Sequence, residues 1–427
     1  MLTSTLVLAL ALSPPAAEAN DDHRHGVAEI ASAALSFDES LGATPDTARV
    51  RGLEESAERK RELDDAIPAV TAGPSVQVMP GARVHPSGAR GFEIQITATQ
   101  SWSLEGYGRK RIEAARAETE VLEVEARAQA LDQRLAAAHA WIRVHAAELE
   151  LELAQAEFAQ LTELAQTLER AREAGVGTRS GVADARALVA DAEGRIADLR
   201  GVIHDLGLVL ARETGGDTSK PLRTRGDYPD IQLPSEAELR RQFAEVESLP
   251  PVAQQRLLAR TERARAAEAK SARATRMNAG LSFQREATSD VVLFGVIGAS
   301  IGVGGGARER GTAVAAARRA EAEAEAVALA LQATLTTALH DLNHSQGVVE
   351  ILAEHTLPAH VELVDSHAQA LELGEGTLPE LLRARARHSA VAREFAAARA
   401  EWVWARVQVW LYYEAFLSEQ ALGQEAK

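Results

Sequence analysis

The chain has 427 residues, a formal net charge of −16, no cysteine and only 4% aromatic residues. That acidity argues against nucleic acid as a partner, since such binders carry a basic patch, and the missing cysteines exclude disulfides, thiolate metal sites, a cysteine nucleophile and a lipid-bearing N-terminal cysteine. The length would hold about two or three ordinary domains, but a composition rich in Ala, Glu, Leu and Arg suits long helices better than a compact enzyme core.

Residues 1–19 read as a secretory signal peptide. They have an apolar core over 6–12 and an A-x-A cleavage site at Ala17-Glu18-Ala19, although no Lys or Arg precedes the core. After it no run approaches the ~20 apolar residues of a spanning helix. An exported chain of this kind is either soluble in the periplasm or inserted as a barrel. Residues 20–43 are polar and weakly patterned, a flexible segment with at most a short helix over 27–35. A charged helix follows from Pro45 to about Ala66, ended by Pro68.

Two stretches of strand character come next, residues 75–79 and 92–102, with a Pro/Gly-rich loop between them. In the second, Phe92, Ile94, Ile96 and Ala98 alternate with Glu93, Gln95, Thr97 and Thr99. Strict alternation predicts a strand with two unlike faces. From Arg109 to Ala174 there is neither proline nor glycine. A helix of that length spans roughly 100 Å. Leu149, Leu153, Ala156, Gln160, Leu164 and Leu168 recur at the three- and four-residue steps of a packing seam. A turn at 175–181 leads to a second helix over 182–212.

Residues 215–234, with Gly215, Gly216, Pro221, Gly226, Pro229 and Pro234, form a loop that divides the two halves. Ser235 reads as the N-cap of the next helix with Glu238 as its capping-box partner. After Pro250 and Pro251 a helix runs to about Arg276. Residues 278–286 and 291–303 are a second strand pair, the latter apolar on both faces. A second very long helix covers 308–373, a turn 374–380 and a returning helix 380–416. Residues 418–427 read as a disordered tail.

One thirteen-residue pattern occurs twice. Gly175-Val176-Gly177-Thr178 and Gly374-Glu375-Gly376-Thr377 each lead, after an aliphatic residue, to Ala-Arg-Ala. The offset, 374 less 175, is 199 residues, and the same offset relates the Gly-rich breaks at 104–109 and 303–308. Glycine ends a helix by adopting positive φ, and Thr can cap the next one. The pattern therefore predicts an internal two-fold repeat, with residues 44–214 and 235–417 each holding a helix, a strand hairpin and a long helical hairpin.

With these features the chain resembles the TolC-like outer-membrane efflux channels over about residues 44–417. The carrying features are the duplication, a strand hairpin in each half, Thr99-Gln100-Ser101-Trp102 through Arg109, and the second turn with Gly374, Thr377, Glu380, Leu381 and Leu382. That turn looks most like members serving metal-cation or drug exporters of the resistance-nodulation-division type. The resemblance implies a mainly α fold with a small β part. It implies a homotrimer in which each chain gives four strands to a twelve-stranded transmembrane β-barrel and long hairpins to an α-barrel crossing the periplasm. It also implies an adaptor protein, an inner-membrane pump and outer-membrane lipid as partners. Four strands alone cannot close a barrel that admits solute. The sequence departs from the family at 301–305, where glycines replace the usual proline and aromatic, and at Gly181, where the second turn has Glu380.

The implied role is a passive exit duct of a tripartite efflux system; a type I secretion duct and a periplasmic coiled-coil scaffold are the alternatives. The turns Gly175, Val176, Gly177, Thr178 and Gly374, Glu375, Gly376, Thr377 would meet the adaptor. Glu380 reads either as one third of a cation-favouring gate or as a first-turn glutamate complementing the helix dipole. Asp184 and Arg383, at matching repeat positions, would pair to hold the entrance closed. His340 and His344 share a helix face, but two ligands do not close a zinc shell, and His23 and His25 are weaker still. No metal or cofactor is expected, and no nucleophile elbow, phosphate loop or dinucleotide fingerprint is present.

Overall fold

A computed structural model describes residues 33–44, 47–67, 72–84, 90–103, 106–271, 275–285, 291–300 and 307–425. The signal peptide, His23, His25 and the glycines at 301–306 lie outside them. The described residues belong to one unit, Ala33–Lys427.

The first described elements are β1 (Ala34–Leu35) and α1 (Phe37–Gly42), which order the last part of the segment expected to be flexible; most of the short helix expected over 27–35 lies outside the described residues. The reason is local and then tertiary. Ser36 and Glu39 form a reciprocal capping box at the start of α1. Phe37 sets its ring edge-on against Trp141 at 5.5 Å, and the indole Nε1 of Trp141 donates to the Leu35 carbonyl at 2.8 Å. α2 follows over Ala48–Asp65.

β2 (Ala72–Val84) and β3 (Arg90–Ser103) form the first strand hairpin. β2 is longer than expected and runs through Pro80 and Gly81, which read as loop in the sequence. Proline is tolerated there because β2 is an edge strand. α3 then runs unbroken over Tyr107–Glu173, 67 residues, or roughly 100 Å. It buries Ala117, Val121, Val124, Ala128 and Leu131 at three- and four-residue steps. α4 (Arg179–Glu213) returns beside it.

The dividing loop is not wholly irregular. β4 (Arg223–Thr224) pairs in parallel with β1, and Tyr228 and Ile231 join the core around Trp141. Ser235 caps α5 (Glu236–Phe243) by accepting from the Glu238 amide at 3.3 Å. The Glu238 carboxylate, however, binds Arg241 and Gln242 instead of closing the box. A short 3-10 turn leads to α6 (Pro250–Ser271). Its prolines occupy the first helical turn, where a missing N–H costs nothing. The helix stops short of Arg276, which already belongs to the next strand.

β5 (Arg276–Arg285) and β6 (Val291–Ser300) are the second strand hairpin. α7 (Ala307–Ile351) was expected to continue to 373, but it is interrupted by one π-helical turn over Leu352–Thr356 before α8 (Leu357–Glu372). Pro358 supplies the cause, because it lacks the N–H that would bond the carbonyl four residues back. α9 (Leu378–Glu425) continues well beyond the expected end at 416.

The four long strands form one antiparallel sheet in the order β2-β3-β5-β6. Towards the sheet, α2, α3, α6 and α7 pack in that sequence; towards the turns, the sequence is α4, α3, α9, α8. The main core lies midway, around the fully buried Trp141, with Leu210, Phe243, Leu249, Leu411 and Phe416. A smaller core of Leu161, Leu168, Val182, Ala185 and Leu382 sits near the turns.

Candidate functional site

Both helical turns are built the same way. After α3, Gly175 takes φ of +79° and donates to the Arg172 carbonyl, while Val176 and Gly177 both donate to Ala171. After α8, Gly374 takes φ of +75° and donates to Leu371, while Glu375 and Gly376 both donate to Ala370. This is the Schellman closure, which satisfies the last carbonyls of a helix and requires a residue at ease with positive φ. Gly177 has a second constraint, since a Cβ there would come 2.7 Å from the Arg172 amide nitrogen. Thr178 caps α4 by accepting from the Gly181 amide at 3.1 Å.

At the second turn the polarity of the cap is reversed. The Glu380 carboxylate accepts from the Thr377 amide at 2.9 Å and from its hydroxyl at 2.8 Å. These two bonds, hydroxyl first, hold the Glu380 carboxyl below its usual value, with smaller help from His367 and Arg383. The side chain is fully exposed and ionised, so capping accounts for its local environment and leaves its outer lone pairs open to solvent. Asp184 and Arg383 are also exposed, and within one chain they form no ion pair with each other among the described residues.

The two turns lie side by side. A Cβ on Gly181 would reach Pro379 Cγ at 3.4 Å, and Leu378 and Leu382 pack onto the core of the first hairpin. Further from the tip, the buried carboxylate of Glu157 on α3 accepts from Arg195 on α4 at 2.8 Å and from Arg393 on α9. Sequence reading did not single out this triad. Its members are 38 and 236 residues apart, and no local pattern connects them.

His340 and His344 stack in parallel with centroids 6.0 Å apart. Among the described residues no three His, Asp or Glu side chains gather as a metal-binding group. No described helix is long and apolar enough to cross a membrane.

The sheet is where the chain shows two unlike surfaces. The register places Ile96 beside Val78 and Phe283, and Ala98 beside Val76 and Leu281. Leu281 and Phe283 in turn pair with Gly295 and Leu293 of β6. Paired residues share a face, so this face is apolar, and most of its larger side chains are exposed. The opposite face carries hydroxyls and amides bonded across strands. Ser75 and Thr99 meet at 2.8 Å, Thr97 and Ser282 at 2.8 Å, and Gln95 donates to Ser282 at 3.0 Å. The alternation of residues 92–99 is thus realised as two faces of different chemistry.

No protein-family model and no curated protein matches the sequence. Solved structures do match. The outer-membrane channel OprN superposes with a TM-score of 0.67 at 17% identity, over 88% of this chain and 89% of its own. The outer membrane channel CmeC of Campylobacter jejuni gives 0.66 at 11% identity, over 95% and 94%. The outer membrane protein VceC of Vibrio cholerae gives 0.62 at 15%, over 89% and 95%. With superposition over 88–95% of this chain at TM-scores of 0.62–0.67, the chain has the fold of the TolC-like outer-membrane channels.

Proposed function

We propose that this protein is the outer-membrane exit duct of a tripartite efflux system and works as a homotrimer. The observation that carries the proposal is the sheet: one exposed apolar face, one polar face, and two open edges, β2 and β6. In lipid every backbone polar group must be satisfied, so open edges must be closed by other copies. Three chains with four strands each make a twelve-stranded barrel with lipid outside and water inside.

The helical layers support the same closure. The outermost elements are α2 and α7 near the sheet and α4 and α8 near the turns. In each layer one edge belongs to the first half of the chain and the other to the second. Edges that differ in this way join head to tail, and such contacts form a ring when the rotation from one copy to the next closes. A tandem duplication with the 199-residue offset explains why the two edges are nevertheless alike enough to pack. The long hairpins then form a tube extending into the periplasm. Its tips carry the two Schellman turns and the 84% exposed Val176, and they contact the adaptor that links the duct to an inner-membrane pump. Transport is passive and needs no catalytic residue. Small solutes, drugs or metal cations, pass through, and three Glu380 carboxylates at the narrow end favour cations.

The descriptions of OprN, CmeC and VceC as outer-membrane proteins or channels support this reading. A coiled-coil scaffold would explain the helices but not a sheet with an exposed apolar face. The test is fractionation followed by electrophoresis without and with heating. A heat-modifiable trimer in the outer membrane, conducting in planar bilayers, is the expected result; recovery only as a soluble monomer overturns the proposal.

A further inference from the structure

β6 breaks the rule that the rest of the sheet obeys. On β2, β3 and β5 the inner face is mainly hydroxyls and amides. On β6 the residues facing the same way are Val292, Phe294 and Val296, paired with Gln284, Ser282 and Gly280. Val292 and Phe294 are exposed in the single chain, whereas a lumen-facing strand position in a water-filled barrel is ordinarily polar. The Thr99 methyl lies over Gly280 and extends the apolar surface inward. At the other edge of the sheet, Met79 of β2 pairs with Gln95 and so shares the polar face. Ring closure sets β2 of one copy beside β6 of the next.

We infer that the exit lumen carries three apolar lanes, one at each subunit seam, built on Val292, Phe294 and Val296, which bind organic solutes that present an uncharged apolar face. The inference rests on the duct reading above and narrows its cargo. The ladder neighbours of the lane are an amide, a hydroxyl and a glycine. A hydrated metal ion finds no carboxylate or imidazole ligand among them and has no reason to give up its water. An apolar ring gains by leaving water for the valine and phenylalanine surface. The flanking Gln284 amide supplies hydrogen bonds that orient a polar substituent without demanding charge, while the Ser282 hydroxyl is buried and already bonded to Thr97 and Gln95.

The test uses the full-length trimer in a phosphatidylethanolamine/phosphatidylglycerol bilayer. Single-channel current is recorded with phenyl β-glucoside as the probe and glucose as the ring-free control. Phenyl β-glucoside interrupts the current for resolvable dwell times and glucose does not. The variant V292T/F294T/V296T puts a β-branched hydroxyl side chain at each lane position and shortens the dwell by at least about fivefold, while F294I retains it. Equal dwell times for the two probes, or dwell times unchanged in the triple variant, overturn the inference. So does loss of the trimer in the triple variant with F294I intact, because the strip is then a packing seam. A wild-type chain that inserts but does not conduct is a different failure, that of the duct reading itself.

Discussion

Glu157 on α3 and Arg393 on α9 form a buried ion pair that fastens the first helical hairpin to the second. Arg195 on α4 binds the same carboxylate oxygen. One side chain therefore joins three long helices at a level where the remaining packing is mostly alanine and leucine. A carboxylate removed from this position leaves two guanidinium groups facing each other without a counter-charge, and a broken buried pair costs more than the intact pair contributes. Glu157→Gln should lower stability by roughly 2–4 kcal/mol, below the upper range because Arg195 keeps access to water. Thermal unfolding of the detergent-solubilised protein measures this. Adding R195M and R393M to E157Q should recover part of the loss, since the uncompensated charges are then gone.

The two turns make a second prediction through their glycines. Gly175→Ala and Gly374→Ala should each cost about 1–2 kcal/mol locally, the price of a left-handed residue bearing a Cβ. Gly177→Ala should be worse than Gly376→Ala. Its Cβ would lie 2.7 Å from a backbone nitrogen, against 3.1 Å for the closest atoms at Gly376. Hydrogen exchange at the amides of Val176 and Glu375, both of which close their Schellman bonds, is the measurement. Faster exchange in the Gly177 variant than in its counterpart is the expected order.

These turns were legible in the sequence because their physics is local. Gly175 and Gly374 end helices for reasons contained in about six residues, and the alternation from Phe92 to Thr99 specifies two faces without any knowledge of neighbours. The uninterrupted span before Ala174 likewise announced α3. What was not legible depends on distant partners. The pair β1 and β4 has two residues a side, too few for a pattern, and is held in place by Trp141 bonding Leu35. Glu157 is one glutamate among many on an acidic helix until α4 and α9 bring their arginines to it. Pro358 was in plain view, but the helix accommodates it with a π turn rather than an end. Ser235 and Glu238 show the limit of a motif, since Arg241 and Gln242 compete for the glutamate and win.

Acidification should weaken the mid-level core through two histidines of α3. His145 stacks on Trp141 at 4.9 Å and meets Tyr228 edge-on at 4.6 Å. Burial lowers its pKa, opposed by the carboxylates of Glu148 and Asp227 and assisted by Arg399. His139, packed on Trp404 at 4.5 Å, is also lowered, first by burial and then by Arg143, with Glu401 opposing. A histidine whose pKa is lower in the fold is protonated earlier in the unfolded chain. The unfolded state then binds more protons, and stability falls as pH drops below the ordinary value of 6.5 towards the folded values. The loss is at most about 1.4 kcal/mol per pH unit for each histidine. Unfolding midpoints between pH 7.5 and 5 should decline in the wild type and flatten in H139Q/H145Q.

Glu380 offers a way to separate a cap from a gate. If the carboxylate only closes the start of α9, replacing its partner and replacing the acid should have the same consequence. Thr377→Val removes the hydroxyl bond and leaves the charge; Glu380→Gln removes the charge and keeps an acceptor for the Thr377 amide. Under the proposed duct, three copies of the charge set the selectivity at the narrow end. Reversal potentials in asymmetric potassium chloride should therefore shift towards non-selectivity in E380Q and stay cation-favouring in T377V. The bonds from Thr377 keep the acid ionised below the usual glutamate value, so the wild-type preference should persist as pH falls through 4.5, the ordinary point of protonation. T377V should lose its preference at a higher pH than the wild type, because a carboxylate deprived of its principal donor protonates more readily. Equal selectivity in the wild type and E380Q would assign Glu380 to the cap alone and move the filter elsewhere in the tube.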